Sequence, residues 1–264
     1  MKPFINLLPY MHRVDDAVEL LDRWKGGIEI SMDGPNWREP LNWEQECHRF
    51  DSHVGPLSVH APIWELNLAT PRFGVIREYS FEVYKECLKW SKIIGAEQVV
   101  IHPSLYSTPV FLRRESQQVA KENLMRLGEE AHKLGIDMAV ENVGLGSFAL
   151  FDQEEFVRLF EEIPSIKALV DVGHAHINGW DTPSVIRELG TGLCAVHLHD
   201  NDGHHDLHQP VGHGTIDWKS IWEALRGIKH SYRAILEYKE ETPTEILLEH
   251  VGIIEHELEA QTAQ

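Results

Sequence analysis

The sequence predicts a single closed (β/α)8 TIM barrel formed by residues 1–264 as one domain. Short β-rich apolar runs recur about every thirty residues with amphipathic helical stretches between them, the alternation of a parallel sheet. The runs number eight, and side chains that bind metals or move protons end the later ones. An open doubly wound sheet shares the alternation; strand number and the placement of those side chains favour closure.

The strands, in order, are FINLL (4–8), GIEIS (27–31), LSVHA (57–61), QVVIH (98–102), DMAVEN (137–142), IKALVDV (166–172), LCAVHLH (193–199) and RAILEY (233–238). After the fourth, Ala120, Leu124, Leu127, Ala131 and Leu134 repeat at helical spacing and leave Lys121, Glu129 and Lys133 on other faces. Asp152 with Glu155 marks one helix start, and Thr182 followed by Pro183 marks another. The last helix aligns Leu247, Val251, Ile254 and Leu258 and opens on Thr242-Pro243-Thr244-Glu245, which reads as a capping box with Pro at the first helical position. No long linker or low-complexity tract marks a second domain.

Composition narrows the partners. Against 42 acidic side chains stand 24 basic ones, a formal charge of −18, so the overall field repels phosphate polyanions and disfavours nucleic acid. Cys47, Cys87 and Cys194 are odd in number and far apart, which suggests neither a disulfide framework nor a thiolate zinc module. The opening MKPFINLLPYMHRVDD lacks the apolar core of a signal peptide or membrane span, and a cytoplasmic protein is expected. No feature separates an outer helical face from a dimer interface, so oligomeric state is not read from the sequence.

In the third to eighth strands the last or nearly last residue is His60, His102, Glu141, Asp171, His197 and Glu237. A parallel barrel gathers these ends at one mouth, where barrel enzymes carry their chemistry. Each alone has an ordinary reading, a structural histidine or a rim ion pair. Together they indicate a metal site, because a carboxylate ending an apolar strand is costly to bury without a partner. Alternation puts His197 and His199 on one strand face. His174 follows Asp171 by three residues, and Asp206 with His208 forms a further pair of plausible bite. Trp64, Trp180 and Phe148, in loops after strands, offer apolar faces for a sugar ring. His204, His205 and His213 are left to solvent.

This pattern resembles the xylose-isomerase-like TIM barrels, which include sugar and sugar-phosphate isomerases and epimerases and the endonuclease IV type of apurinic endonuclease. The resemblance runs from SVHAPIWELNLATP onward. It implies that Glu141 in AVENVG, Asp171 in LVDVGH, His197 in AVHLHD and Glu237 in ILEYK hold one divalent metal, with the two glutamates as acid and base, and that His174 touches substrate. The endonuclease IV branch binds three zinc ions. His60, His102, His174, Asp206 and His208 match its additional ligands, although the loop between His197 and Asp206 is short and its usual Gly-Glu-Gly reads Gly212-His213-Gly214.

Two chemistries fit such a mouth. Isomerisation or epimerisation of a small sugar or sugar phosphate through an enediolate would use Glu141 and Glu237 as base and acid on opposite faces, with His174, His199 and Trp64 contacting substrate. Hydrolysis of a phosphoester, abasic-site DNA or a small ester, would use the multinuclear zinc site with Glu141 steering water. The only adjacent basic pair in a candidate mouth loop, Arg113-Arg114, is a poor footprint for DNA, and the sugar reaction ranks first. A non-catalytic metal-binding protein would not need two opposed glutamates. One to three ions of Zn, Mn, Co or Fe suit the His/Asp/Glu set.

Overall fold

The computed structural model describes residues 2–13, 17–34, 43, 46, 48–104 and 109–260. Eight parallel strands pair in chain order and close: β1 (Phe4–Asn6), β2 (Gly27–Ser31), β3 (Leu57–His60), β4 (Gln98–Ile101), β5 (Asp137–Glu141), β6 (Lys167–Asp171), β7 (Leu193–Leu198) and β8 (Arg233–Leu236). The closing seam pairs Phe4 with Ile235 and Ile5 with Leu236. Around it lie α1 (Ala17–Arg23), α2 (Gly74–Ile93), α3 (Arg113–Leu134), α4 (Gln153–Glu162), α5 (Val172–Ile177), α6 (Thr182–Leu189), α7 (Trp218–Gly227) and α8 (Thr244–Glu259).

The helical faces read from spacing are the buried ones: Ala120, Leu124, Leu127 and Ala131 of α3, and Leu247, Val251 and Ile254 of α8, join the core between barrel and helices. The caps are less regular. Asp152 and Glu155 form the reciprocal capping box expected before α4. The box expected at Thr242 does not form, because the helix starts one residue later and Pro243, which has no side-chain acceptor, takes the N-cap position. At α6 the cap is Asp181, whose side chain accepts from Ser184 N.

Strand alternation divides the sheet into two faces. Phe4, Val100, Ala139, Leu169, Cys194, Ala195 and Ile235 form a second, smaller apolar cluster apart from the main core. Buried polar residues, Asn6, Glu29, Ser58 and Gln98, occupy β1 to β4. TIM-barrel interiors are usually filled by branched apolar side chains, so these four mark a departure with a cause to be found. Cys194 is buried, Cys87 is buried with its thiol donating to Met32 Sδ at 3.6 Å, and Cys47 lies outside the described residues. No helix among the described residues is long and apolar enough to cross a membrane.

Candidate metal centre

The alternation that buries one strand residue in the outer core delivers its neighbour to the barrel mouth. His60, Glu141 and Asp171 end their strands, His197 lies one residue before the end of β7, and His102 and Glu237 immediately follow β4 and β8. All six are buried. Nδ1 of His197 lies 3.0 Å from Glu237 Oε2, 3.4 Å from Glu141 Oε2 and 3.8 Å from Asp171 Oδ2. The four side chains assigned to one metal by resemblance thus converge on a single nitrogen.

Two further groups adjoin this quartet, and Glu141 is common to its surroundings. His102 Nε2 lies 2.9 Å from Glu141 Oε2 and 3.2 Å from His60 Nε2. His60 Nδ1 is 3.1 Å from the Ala61 carbonyl, a bond in which it donates and which turns the Nε2 lone pair toward the cluster. On the other side, Asp206 Oδ2 lies 3.1 Å from His174 Nε2 and 3.3 Å from His208 Nε2. His174 Nδ1 reaches back to Glu141 Oε1 at 3.1 Å. His208 Nδ1 donates to the Glu237 carbonyl at 3.0 Å, again leaving Nε2 for the cluster.

The loop carrying Asp206 and His208 is closed at its base. Asp200 and Gln209 exchange two backbone hydrogen bonds. The buried Asp200 carboxylate accepts from Gly212 N, Ile216 N and Trp218 Nε1. His208 adopts φ 45°, a left-handed conformation uncommon for a residue with a side chain. Such a backbone persists where its surroundings over-determine it, and here Lys239 N donates to His208 O at 2.9 Å.

Electrostatics follow from crowding carboxylates and imidazoles together. Burial opposes protonation of His197, yet the charges of Glu237, Glu29 and Glu141 outweigh it and raise its pKa well above 6.5. His60 and His174 are raised well above 6.5 in the same way, by Asp33 and Glu141 and by Asp171, Asp206 and Glu141, against the same opposition from burial. His208 is pushed up to about 9, where Asp206 and Glu237 overcome burial. Burial opposes ionisation of Glu141, Glu237 and Asp206, but their histidine neighbours hold all three far below the usual carboxylate range.

The residues fit a divalent cation. Nδ1 of His174 and of His197 is buried without a hydrogen-bond partner although each lies within about 3 Å of a carboxylate oxygen. Cation bonds of about 2.0–2.2 Å to nitrogen and oxygen place adjacent ligand atoms roughly 3–3.5 Å apart, close to the separations found. His60–His102–Glu141, Glu141–Asp171–His197 and His174–Asp206–His208 each bring one ligand atom apiece within 4.8 Å of one another. Nitrogen and oxygen donors without sulfur suit Zn, Mn, Co or Fe.

Above these ligands opens a cavity of about 500 Å³, lined by His60, His102, Glu141, His174, Asp206, His208 and Glu237 below and by Leu8, Met11, Ile63, Trp64, Leu145 and Phe148 around the rim. Trp64 and Phe148 are 59% and 57% exposed. Trp180 is not at this mouth; it packs on Phe156, with ring centroids 5.6 Å apart. His199, expected to touch substrate, is fully buried: its Nε2 lies 3.0 Å from Asp171 Oδ2 and its ring stacks on His208 at 4.0 Å. Arg113 is engaged by Glu155 at 2.6 Å. Sequence reasoning missed Glu29 and Asp33. Glu29 accepts from His197 Nε2 at 2.9 Å, and Asp33, in the cavity wall, accepts from Ile63 N at 2.8 Å and sits 3.3 Å from His60 Nδ1. A glutamate amid the apolar GIEIS run was the available signal for the first.

A closed eight-stranded barrel with His, Asp and Glu gathered at the carboxyl ends of its strands defines a class of TIM barrel with a candidate metal centre. The chain belongs to the xylose isomerase-like TIM barrel family, whose model matches residues 16–261. It is 27% identical over 215 residues to the uncharacterized protein MJ1311 of Methanocaldococcus jannaschii, covering 78% of this chain and 71% of that one. Among solved structures it is similar to a D-tagatose 3-epimerase-like protein, with 22% identity, a TM-score of 0.83 and 98% of each chain covered. It is also similar to the IOLI protein with a bound zinc atom, with 17% identity, a TM-score of 0.78 and 98% of each chain covered. At these identities the likeness to solved structures is one of fold.

Proposed function

We propose that the protein is a divalent-metal-dependent isomerase or epimerase acting on a small sugar or sugar phosphate. The observation that carries this reading is that Glu141 and Glu237 both line the cavity and both lie within 3.4 Å of the same His197 nitrogen. Likeness to a D-tagatose 3-epimerase-like protein and to a zinc-containing barrel supports it. Moving a stereocentre or a carbonyl requires a proton to leave a carbon beside that carbonyl and to return at a chosen face or atom. Two carboxylates on either side of the substrate do this, one removing the proton and the other delivering one. Glu141, Asp171, His197 and Glu237 would hold the cation, which when bound supplies Lewis-acid polarisation of the carbonyl. His174 and Trp64 would orient hydroxyls and cover a sugar face, and the apolar rim would exclude water.

The test is epimerisation or isomerisation of free and phosphorylated ketoses and aldoses by protein loaded with zinc, manganese or cobalt. Turnover of at least one sugar, lost on chelation and in Glu141→Gln, is expected; a protein loaded with each cation that turns over none contradicts the reading.

A second reading, phosphoester hydrolysis with Glu141 orienting the attacking water, is favoured by one observation. The His60–His102–Glu141 and His174–Asp206–His208 groups supply ligand sets beyond the single quartet that an epimerase needs. Release of alcohol from a small phosphodiester or nicking of an abasic-site duplex would support it over the first.

A further inference from the structure

Beneath the ligands runs a chain of buried polar groups that the proposed chemistry does not use. At the amino end of the barrel Arg233 pairs with Glu97 at 2.8 Å, and its Nη1 donates to Gln98 Oε1 at 3.2 Å. Gln98 Nε2 donates to Ser58 Oγ at 3.1 Å, and Ser58 Oγ donates to Glu29 Oε2 at 2.6 Å. Glu29 Oε1 accepts from Asn6 Nδ2 at 2.8 Å and from His197 Nε2 at 2.9 Å. Glu29, Ser58 and Gln98 are each fully buried.

Every link sets the direction of the next. A guanidinium only donates, so Gln98 must turn its carbonyl toward Arg233 and its amide toward Ser58. Ser58 therefore accepts from Gln98 and gives its own proton to Glu29. Asn6 is oriented independently, because its Oδ1 accepts from Leu8 N at 2.7 Å and its amide must then face Glu29. With both oxygens of Glu29 committed as acceptors, the nitrogen of His197 that faces it carries the proton. The other, Nδ1, faces Glu141, Asp171 and Glu237, and offers its lone pair to a cation held among them once the proton they favour there is displaced. The far nitrogens of His60 and His208 donate to backbone carbonyls, and Asp33 Oδ2 also lies 3.3 Å from that of His60.

We infer that Glu29, oriented from Arg233 through Gln98 and Ser58, is a positioning residue that fixes His197 as an Nδ1 ligand and sets the cation affinity of the inner quartet. This rests on the metal-dependent reading of the site. A carboxylate on the far nitrogen of a ligating imidazole fixes its tautomer and raises its basicity, and losing such a partner typically costs about 10- to 100-fold in affinity. It also accounts for polar residues where a barrel interior is ordinarily apolar.

The experiment titrates zinc into the purified full chain against a chelator of known affinity, in wild type, Glu29→Gln, Glu29→Leu and Ser58→Ala, with far-ultraviolet circular dichroism to establish folding. Nitrogen-15 spectra of the zinc-loaded histidines identify the nitrogen bound at His197. Glu29→Gln keeps an acceptor without the charge, and a loss of roughly tenfold in the tightest site is expected; Glu29→Leu removes the acceptor and should lose about 100-fold. Ser58→Ala, which does not touch His197, should weaken the same site in the same direction. Binding through His197 Nε2 in wild type, or affinities unchanged in all three folded variants, overturns the relay alone. A wild type that takes up no zinc overturns the metal reading, and the relay with it.

Discussion

Nδ1 of His197 lies 3.0 Å from Glu237 Oε2 and forms no hydrogen bond with it. A buried nitrogen and a carboxylate oxygen at this separation fit two ligands of one cation, whose bonds of about 2.0–2.2 Å put adjacent ligand atoms roughly 3–3.5 Å apart. In the proposed reaction the pair would also link cation binding to chemistry, since Glu237 faces both His197 and the cavity.

Glu141→Gln and Glu237→Gln should each lower sugar turnover by about 10²- to 10⁴-fold, the usual contribution of a positioned acid or base. Both are isosteric, so circular dichroism should be unchanged. A folded Glu141→Gln protein with the wild-type rate would remove that residue from the chemistry.

Asp206→Asn and His208→Gln separate the two readings of the mouth. Elemental analysis should show fewer zinc ions per chain than wild type, because only the outer group loses a ligand. Sugar turnover should fall far less than in Glu141→Gln if one quartet does the chemistry. Phosphodiester cleavage, if that is the activity, should fall as steeply in all three variants.

Much of this was legible in the sequence. Strand number, barrel closure and the convergence of six strand ends follow from a parallel sheet, which leaves little freedom in where carboxyl ends point. What escaped were contacts between distant segments. His199 has the same parity as His197, but the short α5 begins directly after β6 and brings Gly173 against it, turning its ring to Asp171 and away from the cavity. Glu29 meets His197 across the barrel, 168 positions away, and no local spacing encodes that. The cap at Thr242 failed for a local reason: the helix begins at Thr244, which puts Pro243 rather than Thr242 at the N-cap.

Gly173→Ala tests that packing. A Cβ there would overlap Cε1 of His199, with the ring nitrogens close behind. Overpacking of this kind costs about 1–3 kcal/mol, so the melting temperature should drop, and zinc affinity should weaken as His199 releases Asp171. An unchanged melting temperature would mean that the ring relocates freely.

The cation-free protein should lose stability as pH rises. His60, His174 and His197 are raised well above 6.5 and His208 to about 9. A raised folded pKa means that the folded state holds the proton more tightly than the chain does at about 6.5. That stabilisation is complete below about pH 6.5 and fades as pH climbs through about 9. Glu141 and Glu237 are depressed, so their contribution is complete above about pH 4.5 and is lost in acid. Zinc competes for the same nitrogens and should reverse the alkaline trend. Thermal melts from pH 3 to 9, with chelator and with zinc, check both slopes; a cation-free melting temperature that increases from pH 6.5 toward pH 9 contradicts the assignment.

If this mouth moves a proton beside a sugar carbonyl, solvent hydrogen must be able to enter at that carbon. Incubating the zinc-, manganese- or cobalt-loaded protein with a panel of ketoses and aldoses in deuterated water, followed by NMR, measures that step directly. Incorporation of one solvent deuteron at a carbon next to the carbonyl, absent from Glu141→Gln and from chelated protein, is the predicted result. No exchange into any sugar, together with cation-dependent cleavage of a phosphoester by the same preparation, would contradict it.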